Sequence, residues 1–327
     1  MSTDDVTDER MVEDYMGDTI QAGMSDMAYG FDTRKHMETY FSNKEEMIFA
    51  DDSIKFPMES LHHAFNAGYI KGDRLIDISN GAFIHHIYSA SRYFKQICVL
   101  RGAEKCIMEL NRWINKCTGE FDWSHIFEFI KDLEENSDLH QGKDITLKSA
   151  IAEIKKCDFE KENLIDPEVL PPADCVITAW LLELISKDKD EYRKNFRKFV
   201  KLLKPKGNLI ILGLLNTPYM MVGQNKLHVF KYDENFVRQV LTEEGFIIDH
   251  WASQKRCPVS DLIDTDNIIL DREGIIQEVH LCSMRRVAEI KYSAVLDLSS
   301  AGMHTDLLES LKVTEIAQYC FIFTMGE

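Results

Sequence analysis

Short apolar runs alternate along the chain with stretches of helical periodicity. Four of these runs are rich in β-branched residues and predict strands, and they span residues 75–78, 96–100, 174–180 and 208–215. Residues 190–203 predict the clearest helix, because their aromatic and aliphatic side chains recur on one face. This β-α-β order predicts an open α/β sheet with helices on both faces.

The weaker patterns predict the remaining elements. Helices are expected at residues 31–41, 58–67, 82–94, 103–117, 145–155 and 234–243. Further strands are expected at residues 125–130, 245–252 and 316–324, and a loop at 131–142. Two segments, 275–284 and 289–298, fit either a strand or a helix.

Composition and charge divide the chain into a leader and one domain. Residues 1–30 contain eight acidic residues against the single base Arg10 and show no sustained period. They predict a disordered acidic leader, with an acidic partner-binding tail as the alternative. Residues 31–327 are predicted to form a single domain, with an insert at about residues 253–315 before the last strand.

Several classes of function are disfavoured by the composition. The formal net charge is −17, which argues against general binding to nucleic acid. No run approaches about 18 apolar residues, so no membrane span is expected, and the polar start of the chain favours a cytoplasmic protein. The eight cysteines form no Cys-x-x-Cys pair, which predicts reduced, mostly buried thiols in preference to disulfides or zinc.

The histidines do not indicate a metal site either. The pairs His62-His63 and His85-His86 lie on predicted helices. Adjacent residues on a helix point about 100° apart and do not share a metal ion. We therefore expect surface or partly buried histidines and no metal site.

Residues 74–101 read as a strand, a small-residue turn, a helical stretch and a second strand. This unit is typical of sites that hold a nucleotide-like ligand over the first turn. The turn Ser79-Asn80-Gly81 keeps one glycine. The second strand ends in Arg101, where an acidic residue would accept hydrogen bonds from a ribose. The architecture of a cofactor site is present, but most of its chemistry is missing.

Six segments together resemble one known family. They are Lys-Gly-Asp-Arg-Leu-Ile-Asp-Ile (71–78), Phe-Asp-Trp-Ser (121–124), Lys-Cys-Asp (156–158), Leu-Pro-Pro-Ala-Asp-Cys-Val (170–176), Leu-Leu-Lys-Pro (202–205) and Tyr-Met-Met-Val-Gly (219–223). The chain resembles the nicotinamide, phenylethanolamine and indolethylamine N-methyltransferases. The resemblance implies a Rossmann-like methyltransferase fold, with a seven-stranded, mostly parallel sheet whose last strand is antiparallel. It also implies S-adenosylmethionine as the ancestral cofactor.

The family's site residues carry over only in part. Positions that match the family's cofactor contacts are Tyr40, Asp77, Gly81, Cys157, Asp158 and Phe159. Departures on the cofactor side are Ser79, Ala82 and Arg101, where the family has a glycine, a proline and an acidic residue. Departures on the substrate side are Gly213 and Met220. Arginine has five donors and no acceptor, so Arg101 removes the contacts that the family's acidic residue makes with the ribose.

The favoured expectation is a divergent family member that has lost S-adenosylmethionine binding and methyl transfer. It would have no catalytic residue and no cofactor, and would bind a different ligand or a protein partner through the leader or the insert. The alternative is an active N-methyltransferase of a small amine or pyridine-like substrate, with Arg101 facing an anionic substrate or Glu104. A third hypothesis has Arg101 clamp a phosphorylated ligand. Glu183 is expected to lie at a helix start or on the surface, or else to face the pocket.

Overall fold

The computed structural model describes residues 32–42, 54–135, 147–222, 225–255 and 278–286. All of these residues belong to one compact unit. The predicted acidic leader and the predicted strand at 316–324 lie outside the described ranges, as does the end of the predicted single domain.

Helices and strands alternate along the described chain. The helices are α1 (Thr33–Phe41), α2 (Phe56–Asn66), α3 (Glu104–Ile114), α4 (Ser124–Glu135), α5 (Leu147–Ala150), α6 (Lys189–Val200) and α7 (Glu234–Glu243). The strands are β1 (Gly72–Ile78), β2 (Phe94–Arg101), β3 (Ile151–Lys156), β4 (Ala173–Ala179), β5 (Leu203–Leu215), β6 (Tyr219–Val222), β7 (Asn225–His228), β8 (Phe246–Lys255) and β9 (Glu278–Arg286). Among these helices, none combines the length and the apolar character needed to cross a bilayer.

One seven-stranded sheet runs through the molecule in the order β3-β2-β1-β4-β5-β9-β8. The five strands from β3 to β5 are parallel, with Leu75 of β1 opposite Ile97 of β2 and Cys175 of β4. Strand β9 is antiparallel to both of its neighbours, β5 and β8. This topology confirms the predicted Rossmann-like methyltransferase fold with an antiparallel last strand. A separate hairpin, β6–β7, was not predicted.

Apolar side chains fill both faces of the sheet, as expected for strands covered by helices on each side. Alternate residues of one strand divide between the faces: Leu75 packs into one cluster, and Ile76 and Ile78 pack into the other. Helix α6 packs on the second cluster. Two basic residues of α6 form ion pairs with the end of α7. Arg193 lies 2.9 Å from Glu243, the last residue of α7, and Arg197 lies 2.6 Å from Glu244, which follows it. The basic face of α6 is therefore a surface whose charges are paired within the protein.

Three local predictions were wrong. Residues 125–130 are helical within α4, where Ile126 and Ile130 are buried one turn apart. The predicted helix at 145–155 becomes strand β3 from Ile151 onward, because the edge of β2 offers it a partner. The predicted helix at 82–94 is two 3₁₀ turns, His85–Ile87 and Ser89–Arg92, with i→i+3 bonds such as Tyr88 N to His85 O at 3.1 Å.

Two parts of the predicted insert at about 253–315 lie in strands of the sheet. Residues 253–255 finish β8, and residues 278–286 form β9. The antiparallel position beside β5, assigned from the sequence to residues 316–324, is filled by β9, in which Leu281 lies opposite Leu212. The rest of the predicted insert, residues 256–277 and 287–315, lies outside the described residues.

Candidate functional site

A cavity of about 1020 Å³ lies at the carboxyl ends of β1, β2 and β3. Its walls are the turn after β1, the turn from β2 into α3, and the loop after β3. They are formed by residues that include Ser79, Asn80, Gly81, Arg101, Gly102, Ala103, Glu104, Lys105, Cys106, Cys157, Asp158, Phe159, Leu164, Ile165 and Leu181. Open α/β sheets bind their ligands in this crevice.

The turn after β1 keeps its shape through Gly81 and Ser79. Gly81 has φ +62, in the left-handed region that favours glycine. The Ser79 hydroxyl donates to Asp77 Oδ1 at 2.6 Å and accepts from the Ala179 amide at 2.9 Å. The serine that replaces a family glycine therefore joins β1 to β4. Ala82 is buried and is not among the residues that line the cavity.

The Arg101 side chain is buried in the wall at the end of the cavity and is only 1% exposed. Its Nη2 donates to Asp77 Oδ2 at 2.6 Å and to the Phe83 carbonyl at 2.8 Å, and its Nη1 donates to the Leu100 carbonyl at 2.8 Å. The hypothesis that Arg101 meets Glu104 was wrong, because Asp77 is the carboxylate that it binds. Glu104 is exposed and lies 3.9 Å from the ammonium of Lys156.

Asp77 is fully buried at the centre of a hydrogen-bond network. His86 Nε2 lies 2.8 Å from Asp77 Oδ1, which also accepts from Ser79. Burial alone raises the pKa of the Asp77 carboxyl, but Arg101, His86 and the Ser79 hydroxyl together hold that pKa well below its ordinary value. The family-matched Asp77 is ionised, is bonded on both oxygens and does not line the cavity.

The cavity wall next to the end of β2 contains the family-matched residues Cys157, Asp158 and Phe159. The Cys157 amide donates to the Arg101 carbonyl at 2.9 Å, and the Asp158 amide donates to the Leu164 carbonyl at 2.7 Å. A Cβ on Gly102 would lie 2.6 Å from Phe159 Cε2, so only glycine lets the phenyl ring pack there. These contacts fix the wall, and Gly81 lies in the same cavity.

An aromatic cluster packs beside the turn after β1. Phe83 lies at its centre, with ring centroids 4.6 Å from His36 and 4.4 Å from Phe41. The other members include Tyr40, His85, Trp123 and Trp180, and all of these side chains are buried. None of them is among the residues that line the cavity. Burial lowers the pKa of His36 to about 3, so its imidazole is neutral.

The two substrate-side positions are also away from the cavity. Gly213 lies within β5 and pairs with His280 of β9. Met220 is 5% exposed, in β6. Neither residue lines the cavity.

Glu183 is buried, so the prediction of a surface carboxylate was wrong. Its Oε1 accepts from the Leu214 amide at 3.2 Å, and its carbonyl accepts from the Phe230 amide at 2.8 Å. Burial raises the pKa of Glu183 to about 7. It does not line the cavity either.

The sequence reading missed His86 as a site residue. His85 and His86 are both fully buried, which corrects the prediction of surface or partly buried histidines. The signal was Asp77 itself, since an acid in a central strand must be paired when it is buried. Among the described residues, no group of three potential metal ligands lies together. Free thiols are present at Cys98, Cys106, Cys117, Cys157 and Cys175.

The sheet order and the cavity over β1 and β2 define a Rossmann-like methyltransferase-fold protein. A family model described as the NNMT/PNMT/TEMT family matches residues 19–270, and the chain belongs to this family.

Two curated relatives show the extent of the similarity. The indolethylamine N-methyltransferase of Oryctolagus cuniculus is 33% identical over 216 residues, which are 66% of this chain and 82% of that protein. The nicotinamide N-methyltransferase of Homo sapiens is 31% identical over 219 residues, 67% of this chain and 83% of that protein. Among solved structures, the N-methyltransferase NodS from Bradyrhizobium japonicum aligns with a TM-score of 0.43 at 12% identity, covering 78% of this chain and 96% of that one.

Proposed function

We propose that this family member has lost S-adenosylmethionine binding and methyl transfer and acts by binding a different ligand or a protein partner. The observation that carries the proposal is the buried pair between Arg101 and Asp77. The family's acidic residue at this position accepts hydrogen bonds from the ribose hydroxyls, whereas the guanidinium of Arg101 has only donors.

The pair also explains why Arg101 would not swing aside for the cofactor. Its Nη atoms bond to Asp77 and to the carbonyls of Leu100 and Phe83. Removing one member of a buried ion pair costs about 3–5 kcal/mol, because the other charge stays buried without a partner. The end of β2 therefore does not fit the ribose of S-adenosylmethionine, and no catalytic step is assigned.

The arrangement on the substrate side supports the same proposal. Methyl transfer requires the acceptor nitrogen to be aligned with the cofactor's sulfonium. The aromatic cluster around Phe83 is closely packed, and Gly213 and Met220 are buried away from the cavity. The residues that line the cavity include no member of that cluster.

An active N-methyltransferase with a rearranged site is the second candidate. The observation that favours it is the size of the cavity, about 1020 Å³, with Gly81, Cys157, Asp158 and Phe159 in its walls. The curated relatives are named as N-methyltransferases. In that case S-adenosylmethionine would bind to the wall that contains Cys157, Asp158 and Phe159 and to the backbone of the turn after β1. Its ribose hydroxyls would have no carboxylate acceptor at the end of β2.

The surfaces proposed for a protein partner are the acidic leader and the predicted insert. The leader lies outside the described residues, and so do residues 256–277 and 287–315 of the insert. Partner binding through them stays a prediction. A non-catalytic role in which the cavity binds a ligand does not depend on partner binding.

Calorimetric titration of the full chain with S-adenosylmethionine tests the proposal. We expect no heat of binding at millimolar ligand. Arg101→Asp restores the family's acidic residue, and a gain of binding in that variant would identify Arg101 as the block. Lys71→Asp, with the same change of charge on an exposed residue at the amino end of β1, is the matched control. Micromolar binding by the unaltered protein would overturn the proposal, whereas no binding by either protein would exclude the active enzyme.

A further inference from the structure

Two buried donors at one end of the cavity have no acceptor among the described residues. They are Arg101 Nε and Asn80 Nδ2, on side chains that are 1% and 2% exposed. Both residues line the cavity. Buried donors are normally satisfied, so a cavity wall that contains two unsatisfied donors favours a ligand that brings acceptors.

Other groups at the same end also favour a negative ligand group. Helix α3 begins at Glu104 after Ala103, which makes no side-chain capping bond. The first amides of a helix are free donors and lie at the positive end of its dipole. Lys105 lines the cavity, and its side chain is exposed. The one carboxylate in this turn, Glu104, is 3.9 Å from Lys156.

The acceptors of Asp77 and Ser79, behind this end of the cavity, are already used within the protein. Asp77 receives hydrogen bonds from Arg101, Ser79 and His86. Ser79 Oγ both donates to Asp77 and accepts from Ala179. Free ribose hydroxyls, which need an acceptor as well as a donor, are therefore a poor match for this end of the cavity.

The remaining wall suits a planar ring. Phe159, Leu164, Ile165 and Leu181 line it with apolar side chains. The Phe159 ring packs on Gly102, and the main-chain carbonyl of Phe159 accepts a hydrogen bond from the buried ammonium of Lys198. The loop is fixed before a ligand arrives, which lowers the entropic cost of binding.

We propose that the cavity binds a purine nucleotide whose ribose carries a phosphate on its 2′ or 3′ hydroxyl. The base lies in the apolar slot, and the phosphate accepts hydrogen bonds from Arg101, Asn80 and the start of α3. In Rossmann folds an acidic residue near the end of β2 binds free ribose hydroxyls, whereas an arginine there accommodates a ribose phosphate. The proposal rests on the proposed function, since it requires the end of β2 to reject an unmodified ribose.

Calorimetry with four adenosine compounds tests this ligand class. Adenosine 2′-monophosphate and adenosine 3′-monophosphate are compared with adenosine and adenosine 5′-monophosphate, on the full chain. At least one of the first two is expected to bind tenfold or more tightly than both of the others, because hydrogen bonds to a charged group are the strong ones. Equal affinity for all four, or no binding of any, would overturn the proposal.

Variants locate the phosphate without disturbing the buried pair. Asn80→Ala and Lys105→Glu are each expected to weaken the preferred phosphate about tenfold and to leave adenosine unchanged. Lys71→Glu, an exposed control with the same charge change as Lys105→Glu, is expected to alter neither ligand. If both site variants bind the phosphate as tightly as the unaltered protein does, the proposed position is wrong.

The two proposals fail in distinguishable ways. Micromolar binding of S-adenosylmethionine overturns the proposed function whatever the adenosine phosphates do. If neither S-adenosylmethionine nor any adenosine phosphate binds, the nucleotide proposal fails and the loss of the cofactor stands.

Discussion

Arg101 Nη2 and Asp77 Oδ2 lie 2.6 Å apart at the ends of two adjacent strands, with the side chains 1% and 0% exposed. A buried ion pair is favourable only while both charges are present. The pair therefore makes the stability of the fold depend on Arg101, which stands where the family has an acidic residue.

Replacing Asp77 with Asn should destabilise the protein by about 3–5 kcal/mol, because Arg101 would be left buried without a counter-charge. The free energy of unfolding in urea measures the loss. Asp73→Asn is the control, since its ion pair with Lys95 is 71% exposed on the aspartate; that change should cost no more than about 1 kcal/mol. The double variant Asp77→Asn, Arg101→Met should recover part of the loss. An Asp77→Asn protein as stable as the control would show that the buried charge is compensated elsewhere.

Restoring the family's glycine at position 79 should also destabilise the fold. Ser79→Gly removes the hydroxyl that bonds Asp77 and leaves the Ala179 amide without its acceptor. We expect a loss of about 1–3 kcal/mol in thermal or urea unfolding. Ser91→Ala is the matched control, because its hydroxyl donates to the Tyr88 carbonyl within a local turn. Equal losses in the two variants would contradict the bridging role of Ser79.

Gly102→Ala should disturb the cavity more than the core. The new Cβ would lie 2.6 Å from Phe159 Cε2, so the ring would have to move into the cavity. We expect a stability loss of about 1–3 kcal/mol together with weaker binding of any ligand in the apolar slot. Gly102→Ala with Phe159→Leu should recover stability, since the smaller side chain makes room. Without that recovery, the contact with Phe159 is not what requires glycine at position 102.

Glu183 should lower the free energy of unfolding as pH rises. A carboxylate whose pKa is lowered by folding has the opposite effect. Burial raises its pKa from 4.5 to about 7 in the folded chain, so folding takes up a proton between these values. The contribution of Glu183 to stability is complete below pH 4.5 and is lost as pH rises to about 7.

The Glu183→Gln variant isolates this effect. It should be more stable than the unaltered protein at pH 8, by on the order of 3 kcal/mol, with the advantage vanishing near pH 4.5. Urea unfolding at a series of pH values measures the difference. Glu128→Gln, on an exposed position of α4, controls for the loss of a carboxylate. An advantage that is the same at every pH would show that Glu183 does not titrate in this range.

The central strands could be predicted because their burial on both faces leaves continuous apolar runs. Residues 208–215, for example, lie within β5. Edge elements carry weaker patterns. Strand β3 has only partly buried residues along most of its length, so its sequence resembled a short helix. The segment that forms β9 fitted either a strand or a helix in the sequence. Its pairing with β5 decides between them, and β5 lies far away in the sequence.

The positions of the site residues could be predicted only through the family resemblance, and their contacts could not. Arg101 was recognised as a departure at the end of β2, but its partner Asp77 was not. Spacing along β1 and β2 brings the two residues close together, yet the direction of a long arginine side chain depends on tertiary packing. His86 was missed because 3₁₀ turns, which replace the predicted helix, bury it beside Asp77.

The position of β9 in the sheet affects how the chain can fold during synthesis. Strand β8 joins the described sheet through β9, although β8 precedes β9 in the chain. A nascent chain that has left the ribosome only as far as residue 255 therefore presents β5 as an exposed apolar edge, which is prone to pair with other chains. The described sheet can close only after residue 286 has emerged, so β5 keeps an unpaired edge while residues 256–286 are being made.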